Sequence, residues 1–217
     1  PFASQDIELD QNSFFANSRT EGSIVRSFVY LNAANLTFGP VNDRQVTSLE
    51  MDGVIFGDNG AIVEQIKGNA VLGLKQNEYQ QALRDGLRLQ FDMPAKRPGS
   101  YQVRIAVRDR NSSKIGSASQ FVAVPNLGNN QLAMSGVVLR AAAESSQKAM
   151  MSTGQRFRIN SDVEFAFVIY NAALDPATHL PSLMMETKLF RDGKSVKSTA
   201  DIPISGENQP DLTRLVI

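Results

Sequence analysis

The chain contains no cysteine and a single histidine, His179. Without cysteine there is no disulfide framework and no thiolate zinc site. With one histidine, any Ser-His-Asp apparatus would have to pass through His179, and no Gly-x-Ser-x-Gly elbow accompanies it. No apolar run approaches the ~20 residues that span a bilayer. No Gly-x-x-x-x-Gly-Lys-Ser/Thr or Gly-x-Gly-x-x-Gly occurs, so there is no recognisable phosphate loop. An excess of charge of either sign is also missing: Lys plus Arg and Asp plus Glu number 22 each. That balance removes the usual electrostatic case for nucleic acid or an anionic membrane as main partner. No signal-peptide pattern is visible at Pro1. The absent initiator methionine reads as an excerpt of a longer protein, with any targeting segment upstream.

What the chain does have is a repeat. Phe28-Val29-Tyr30-Leu31-Asn32-Ala33-Ala34-Asn35-Leu36 returns as Phe167-Val168-Ile169-Tyr170-Asn171-Ala172-Ala173-Leu174. Each copy is followed by a second landmark, Val54 to Gly60 and then Lys188 to Lys194. Over 217 residues, 42% of them hydrophobic, this predicts two domains with cores of their own. Residues 1–22 read as a lead-in with at most one edge strand, 23–127 as the first domain, and 128–217 as a second that is cut short. Pro125 to Asn130 is the linker candidate, polar and carrying two breakers.

The local patterns are those of strands. Residues 24–31 are β-branched and aromatic. Across 48–71, Leu49, Met51, Gly53 and Ile55 alternate with Glu50, Asp52 and Val54, and Gly57-Asp58-Asn59-Gly60 supplies a turn before the return strand from Ile62. Tyr101, Val103, Ile105 and Val107 alternate with Gln102, Arg104, Ala106 and Arg108, which means one buried and one wet face. A strand over 115–124 follows. Residues 75–86 predict one or two helical turns stopped by Gly86. Leu132–Leu139 is strand-like, and Ala141–Met151 reads as a short helix or a loop. Strands are expected near 156–171 and 183–190, with a return near 194–204. The expected fold is all-β: two tandem antiparallel β-sandwiches of immunoglobulin or fibronectin III type, the second incomplete.

Four stretches carry a resemblance: Pro98-Gly99-Ser100-Tyr101 through Asp109, Gly116 through Leu127, Leu132 through Leu139, and Tyr170-Asn171-Ala172. Together they resemble the region that follows the von Willebrand factor A domain in VWFA-related proteins of Acidobacteria, from about residue 20 onward. The resemblance implies a secreted, periplasmic or cell-envelope protein with an upstream von Willebrand factor A domain. That domain would carry a metal-binding Asp-x-Ser-x-Ser motif. No such motif occurs in this chain, so no metal residue is carried over.

Candidate sites are few. His179 lies in the proline-bounded loop Asp175–Pro181 and reads as an exposed loop residue. Asp52, Asp58 and Asn59, with Asp43 nearby, are weak calcium candidates, since their spacing fits no calcium loop and Asp58-Asn59 already has a turn role. Asp192-Gly193 has the same turn explanation. Arg84, Arg88, Lys96, Arg97, Arg104, Arg108 and Arg110 make a basic stretch. Within it, Arg104 and Arg108 share a strand parity and could form a cationic strip for an acidic protein or polysaccharide, or simply a solvated face. The Met150-Met151 and Met184-Met185 pairs suit packing. Paired carboxylates for glycoside hydrolysis cannot be singled out.

The expectation from sequence is therefore a non-catalytic interaction or spacer module without a cofactor. Its partners would be proteins, or a second copy by strand addition at the open second sheet. The alternatives are an accessory part of a secreted hydrolase and a calcium- or glycan-binding sandwich.

Overall fold

A computed structural model describes residues 4–142, 157, 160, 162–207 and 209–217. Cα packing divides the chain into two compact units, one of residues 1–125 with 136–165, the other of 126–135 with 166–217. Mostly strands, they form several antiparallel sheets and an all-β sandwich.

Unit 1 is built from β1 (Leu9–Ser18), β2 (Gly22–Leu31), β3 (Gly39–Val41), β4 (Arg44–Phe56), β5 (Ile62–Lys75), α1 (Gln76–Asp85), β6 (Leu87–Pro94), β7 (Gly99–Asp109) and β8 (Ile115–Val124). One sheet runs β1-β2-β6. The other runs β5-β4-β7-β8, with short β3 beside the first residues of β4. Period-two alternation drives both. Tyr101, Val103, Ile105 and Val107 point inward from β7, as their spacing predicts, against Leu49 and Ile55 of β4 and Val122 and Val124 of β8. From the facing sheet come Phe15, Val25, Val29, Leu31, Phe91 and Met93.

The lead-in supplies the edge strand its sequence allowed: β1 pairs with β2 over its whole length, from Leu9↔Leu31 to Ser18↔Gly22. Two further features have no counterpart in the sequence reading. Strand β6 went unanticipated although Leu87, Leu89, Phe91 and Met93 alternate within it. Residues Ser4–Ile7 also join β8: Ser117 N–H donates to Ser4 O (2.9 Å) and Ile7 N–H to Ile115 O (3.3 Å). Gln120 extends this link by taking Ser13 N–H on its Oε1 (2.8 Å) and donating to Ser13 O (3.0 Å). One side chain thus does the work of a strand rung between β1 and β8.

Helix α1 starts with Glu78 accepting the Lys75 N–H (2.8 Å) and ends where Gly86 N–H donates to Ala82 O. Farther on, the strand-like stretch 132–139 is split into β9 (Ala133–Met134) and β10 (Val138–Ala141). Between them Gly136 N–H donates to Phe15 O (3.1 Å). A Cβ at Gly136 would lie 2.1 Å from that of Phe14, so only glycine fits. The Phe14 ring meets Phe28 edge to face at 5.5 Å. Strand β10 pairs with β11 (Val163–Ala166). Of the helix-or-loop expectation for 141–151, Ala141 ends β10 and 143–151 lie outside the described residues, as do the Met150-Met151 pair and most of 156–162.

Unit 2 centres on β12 (Val168–Tyr170), which pairs with β9 on one side and with β17 (Arg214–Val216) on the other. Two ribbons complete it: β13 (Met184–Met185) with β16 (Ile202–Pro203), and β14 (Lys188–Arg191) with β15 (Lys194–Ser198). Its core is Phe167, Ile169, Ile204 and Leu215, flanked by Ala172, Leu183, Met185, Leu212 and Ile217. Of the methionine pair, Met185 packs on this core and Met184 is exposed.

Candidate interaction surface

The β7 alternation that buries Tyr101, Val103 and Ile105 turns Gln102, Arg104 and Arg108 outward. Register then decides what lies beside them. Phe121 of β8, Gln102 of β7, Phe56 of β4 and Ile62 of β5 are direct cross-strand neighbours. They form one row across β8, β7, β4 and β5 of the five-stranded sheet. Phe121 is 76% exposed and Ile62 59%. At the Ile55/Phe56 register shift, Val63 is exposed beside them.

Arg104, in register with Val54 and Ser119 one outward position along β7, reaches back to this row. Its Nε and Nη2 both donate to Gln102 Oε1 (3.1 and 2.7 Å), and its guanidinium stands 4.7 Å above the Phe56 ring. The amide fixes the fork and the ring takes the cation on its face. Arg108 shares the outer face but lies in register with Glu50. On the next outward pair of positions Asp52 accepts Gln65 Nε2 (2.9 and 3.0 Å), with Lys67 Nζ at 3.9 Å. The face is thus aromatic at one end and of mixed charge along the rest.

The calcium candidates are not brought together. Asp52 sits within β4, about 13 Å of strand before Phe56. Asn59 Oδ1 accepts the Ala61 N–H (3.0 Å), closing the turn that also holds Asp58. Among the described residues no three His, Cys, Asp or Glu side chains gather as a metal site. His179 is exposed at φ 56°, its N–H donating to Asp175 O (2.8 Å). Asp175 Oδ1 accepts from Thr178 N–H (2.8 Å), Ala177 N–H (2.9 Å) and the Thr178 hydroxyl (3.1 Å), which holds its carboxyl below the ordinary range.

Among the described residues the most buried carboxylate is Asp109, which no sequence motif singles out. It is fully buried at the end of β7. Its oxygens accept the Ser112 hydroxyl (2.7 Å), Thr37 N–H (2.8 Å) and Asn111 N–H (2.9 Å). Burial pushes its pKa up, but these donors outweigh burial and leave it below the usual value. The charge is balanced by donors and fastens the loop after Ala33–Asn35 to the β7–β8 turn. Asn111 Nδ2 on Thr37 O (3.0 Å) and Lys114 Nζ on Asn35 O (3.2 Å) add to that link.

Sequence alternation reaches Arg104 and Arg108. It misses Phe121, Phe56 and Ile62, because residues far apart in the chain become a row only once strand order and register are known. No protein-family model matches the chain, and no curated protein matches it.

Proposed function

We propose that this chain is a non-catalytic β-sandwich module whose work is protein–protein interaction or adhesion, in the immunoglobulin or fibronectin III manner. The setting fits a secreted or envelope-associated bacterial protein related to the VWFA group. One observation carries the reading: the outward-facing row Phe121–Gln102–Phe56–Ile62, exposed at Phe121 and Ile62 and half-buried between, with Arg104 held over Phe56. Aromatic side chains and arginine are what desolvated interface centres favour. Arg104 is pre-oriented by Gln102, so little side-chain entropy is lost on docking. The buried polar groups, by contrast, serve the fold. Asp109 holds two loops, and Ser13 and Ser27 share a buried hydrogen bond of 2.6 Å.

A photo-crosslinking residue at Phe121 tests this in cells that make the protein. One discrete adduct, lost on Phe56→Ser with Ile62→Ser, is the expected result. No adduct, together with turnover of ester, peptide or glycoside substrates by the purified chain, would sink the reading.

A further inference from the structure

Net charge is zero for the whole chain, but not for one hairpin of unit 2. Strands β14 and β15 carry Lys188, Arg191, Lys194 and Lys197, with Asp192 the only acidic residue between Lys188 and Ser198. The turn is tight: Asp192 and Gly193 have φ of 51° and 75°, the two positive values of a type I′ connection. Pairing runs Lys188↔Ser198, Leu189↔Lys197, Phe190↔Ser195 and Arg191↔Lys194. Opposite residues share a face, so one face collects Leu189, Arg191, Lys194 and Lys197. The other face holds Lys188 and Phe190.

Among the described residues Lys188 is paired with Glu186 (2.8 Å) and Arg191 lies 3.8 Å from Asp192, while Lys194 and Lys197 have no ion pair. Every residue of both strands is exposed. Leu189, Phe190 and Val196 stand 55–59% exposed, and they do not share one face.

We infer that this hairpin docks on an anionic lipid surface. Charge complementarity selects an anionic partner, since three cations gather with Leu189 on one face. The apolar side chains select lipid over an acidic protein. A protein surface covers one face of a hairpin, whereas a headgroup layer encloses both faces of a ribbon half sunk along it. The cations then meet lipid phosphates, Leu189 and Phe190 reach the acyl boundary, and Asp192 stays at headgroup level beside Arg191. A neutral total charge does not oppose this, because surface attraction decays within a Debye length of about 8 Å in physiological salt.

The test is co-sedimentation of the full chain with vesicles of equal parts phosphatidylserine and phosphatidylcholine, and with phosphatidylcholine alone. Binding to the first only, weakening as salt rises, is expected. Lys194→Glu with Lys197→Glu should reduce it at least about 25-fold, at roughly fivefold per cation. Leu189→Ser with Phe190→Ser should reduce it as well. All four positions are exposed, so circular dichroism of each variant should match that of the parent. Equal binding to both vesicle types, no binding, or binding that survives either double substitution overturns the inference. Tighter binding to soluble poly-glutamate than to the anionic vesicles overturns it in favour of an acidic protein partner.

Discussion

The hairpin around Val54–Gly60 and the hairpin around Lys188–Lys194 begin from similar sequence landmarks and end in opposite surroundings. In unit 1, Ile55 is completely buried. In unit 2, Leu189 is 59% exposed. The first hairpin has strands of 13 and 14 residues and is joined along β4 by β7. The second has strands of four and five residues, and no third strand pairs with it among the described residues. A two-stranded ribbon buries little by itself, so burial comes from the added strand and the opposing sheet. The repeated asparagines teach a related point. Asn32 donates to Glu8 (2.8 Å) with φ of −71°, and Asn171 donates to Leu127 O (2.9 Å) and Gln131 O (3.1 Å) with φ of 56°. Both tie a strand end to an earlier segment, from different backbone conformations.

The largest expected effect comes from deleting the same kind of side chain in both cores. Leu215→Ala and Ile105→Ala each remove a fully buried aliphatic group, at a cost of about 2–5 kcal/mol. Unit 2 has the small core, so Leu215→Ala should abolish amide-exchange protection over 168–170 and 214–216 and leave β7 protected. Ile105→Ala should lower the stability of unit 1 without unfolding it. Protection of unit 2 that survives Leu215→Ala would break the comparison.

Next comes Asp109. Asp109→Ala strips the partner from two amides and a hydroxyl in a buried site and should cost unit 1 about 3 kcal/mol, read as a lower urea midpoint. Asp175→Ala removes a similarly bonded carboxylate from an exposed loop of unit 2 and should leave the urea midpoint where it is. Equal shifts from the two would show that burial is not what separates them.

Acid should sharpen the same contrast. The Asp109 carboxyl has a folded-state pKa below its unfolded value, so its contribution is complete above the unfolded pKa, near ~3.9. It is lost as pH falls through the folded pKa. Parent unit 1 should therefore lose stability below about pH 4 more steeply than Asp109→Asn, which has no such proton to bind. Asp175 and Glu186 are lowered in the same direction, by the hydrogen bonds of Thr178 and Ala177 and of Lys188 and Ser198 respectively. Being exposed, they should add only a slight, salt-screened slope in unit 2.

The smallest effect is local. Gly193→Ala forces a side chain into φ 75° and should cost about 1 kcal/mol. Cross-strand contacts between Arg191 and Lys194 in NMR spectra should weaken, with no change in β12 or β17.

The alternation of Tyr101 to Val107, the turn at Gly57–Gly60 and the helix stop at Gly86 were legible because each follows from residues adjacent in the chain. The split at Gly136 was not, since its cause is the approach of Phe14 from more than a hundred residues earlier. Arg104 could be placed on a wet face, but not over Phe56.

Sequence alone determined that this protein is all-β, where its clearest strands turn, and which side of β7 is wet, because side-chain period and turn chemistry are local properties. Only the tertiary structure decided that Phe121, Phe56 and Ile62 share a row, that Asp109 is sealed among donors, and that Leu189, Arg191, Lys194 and Lys197 share one face of an exposed hairpin. Strand register and burial depend on which distant segments meet, and hydrophobic pattern without partners does not specify that.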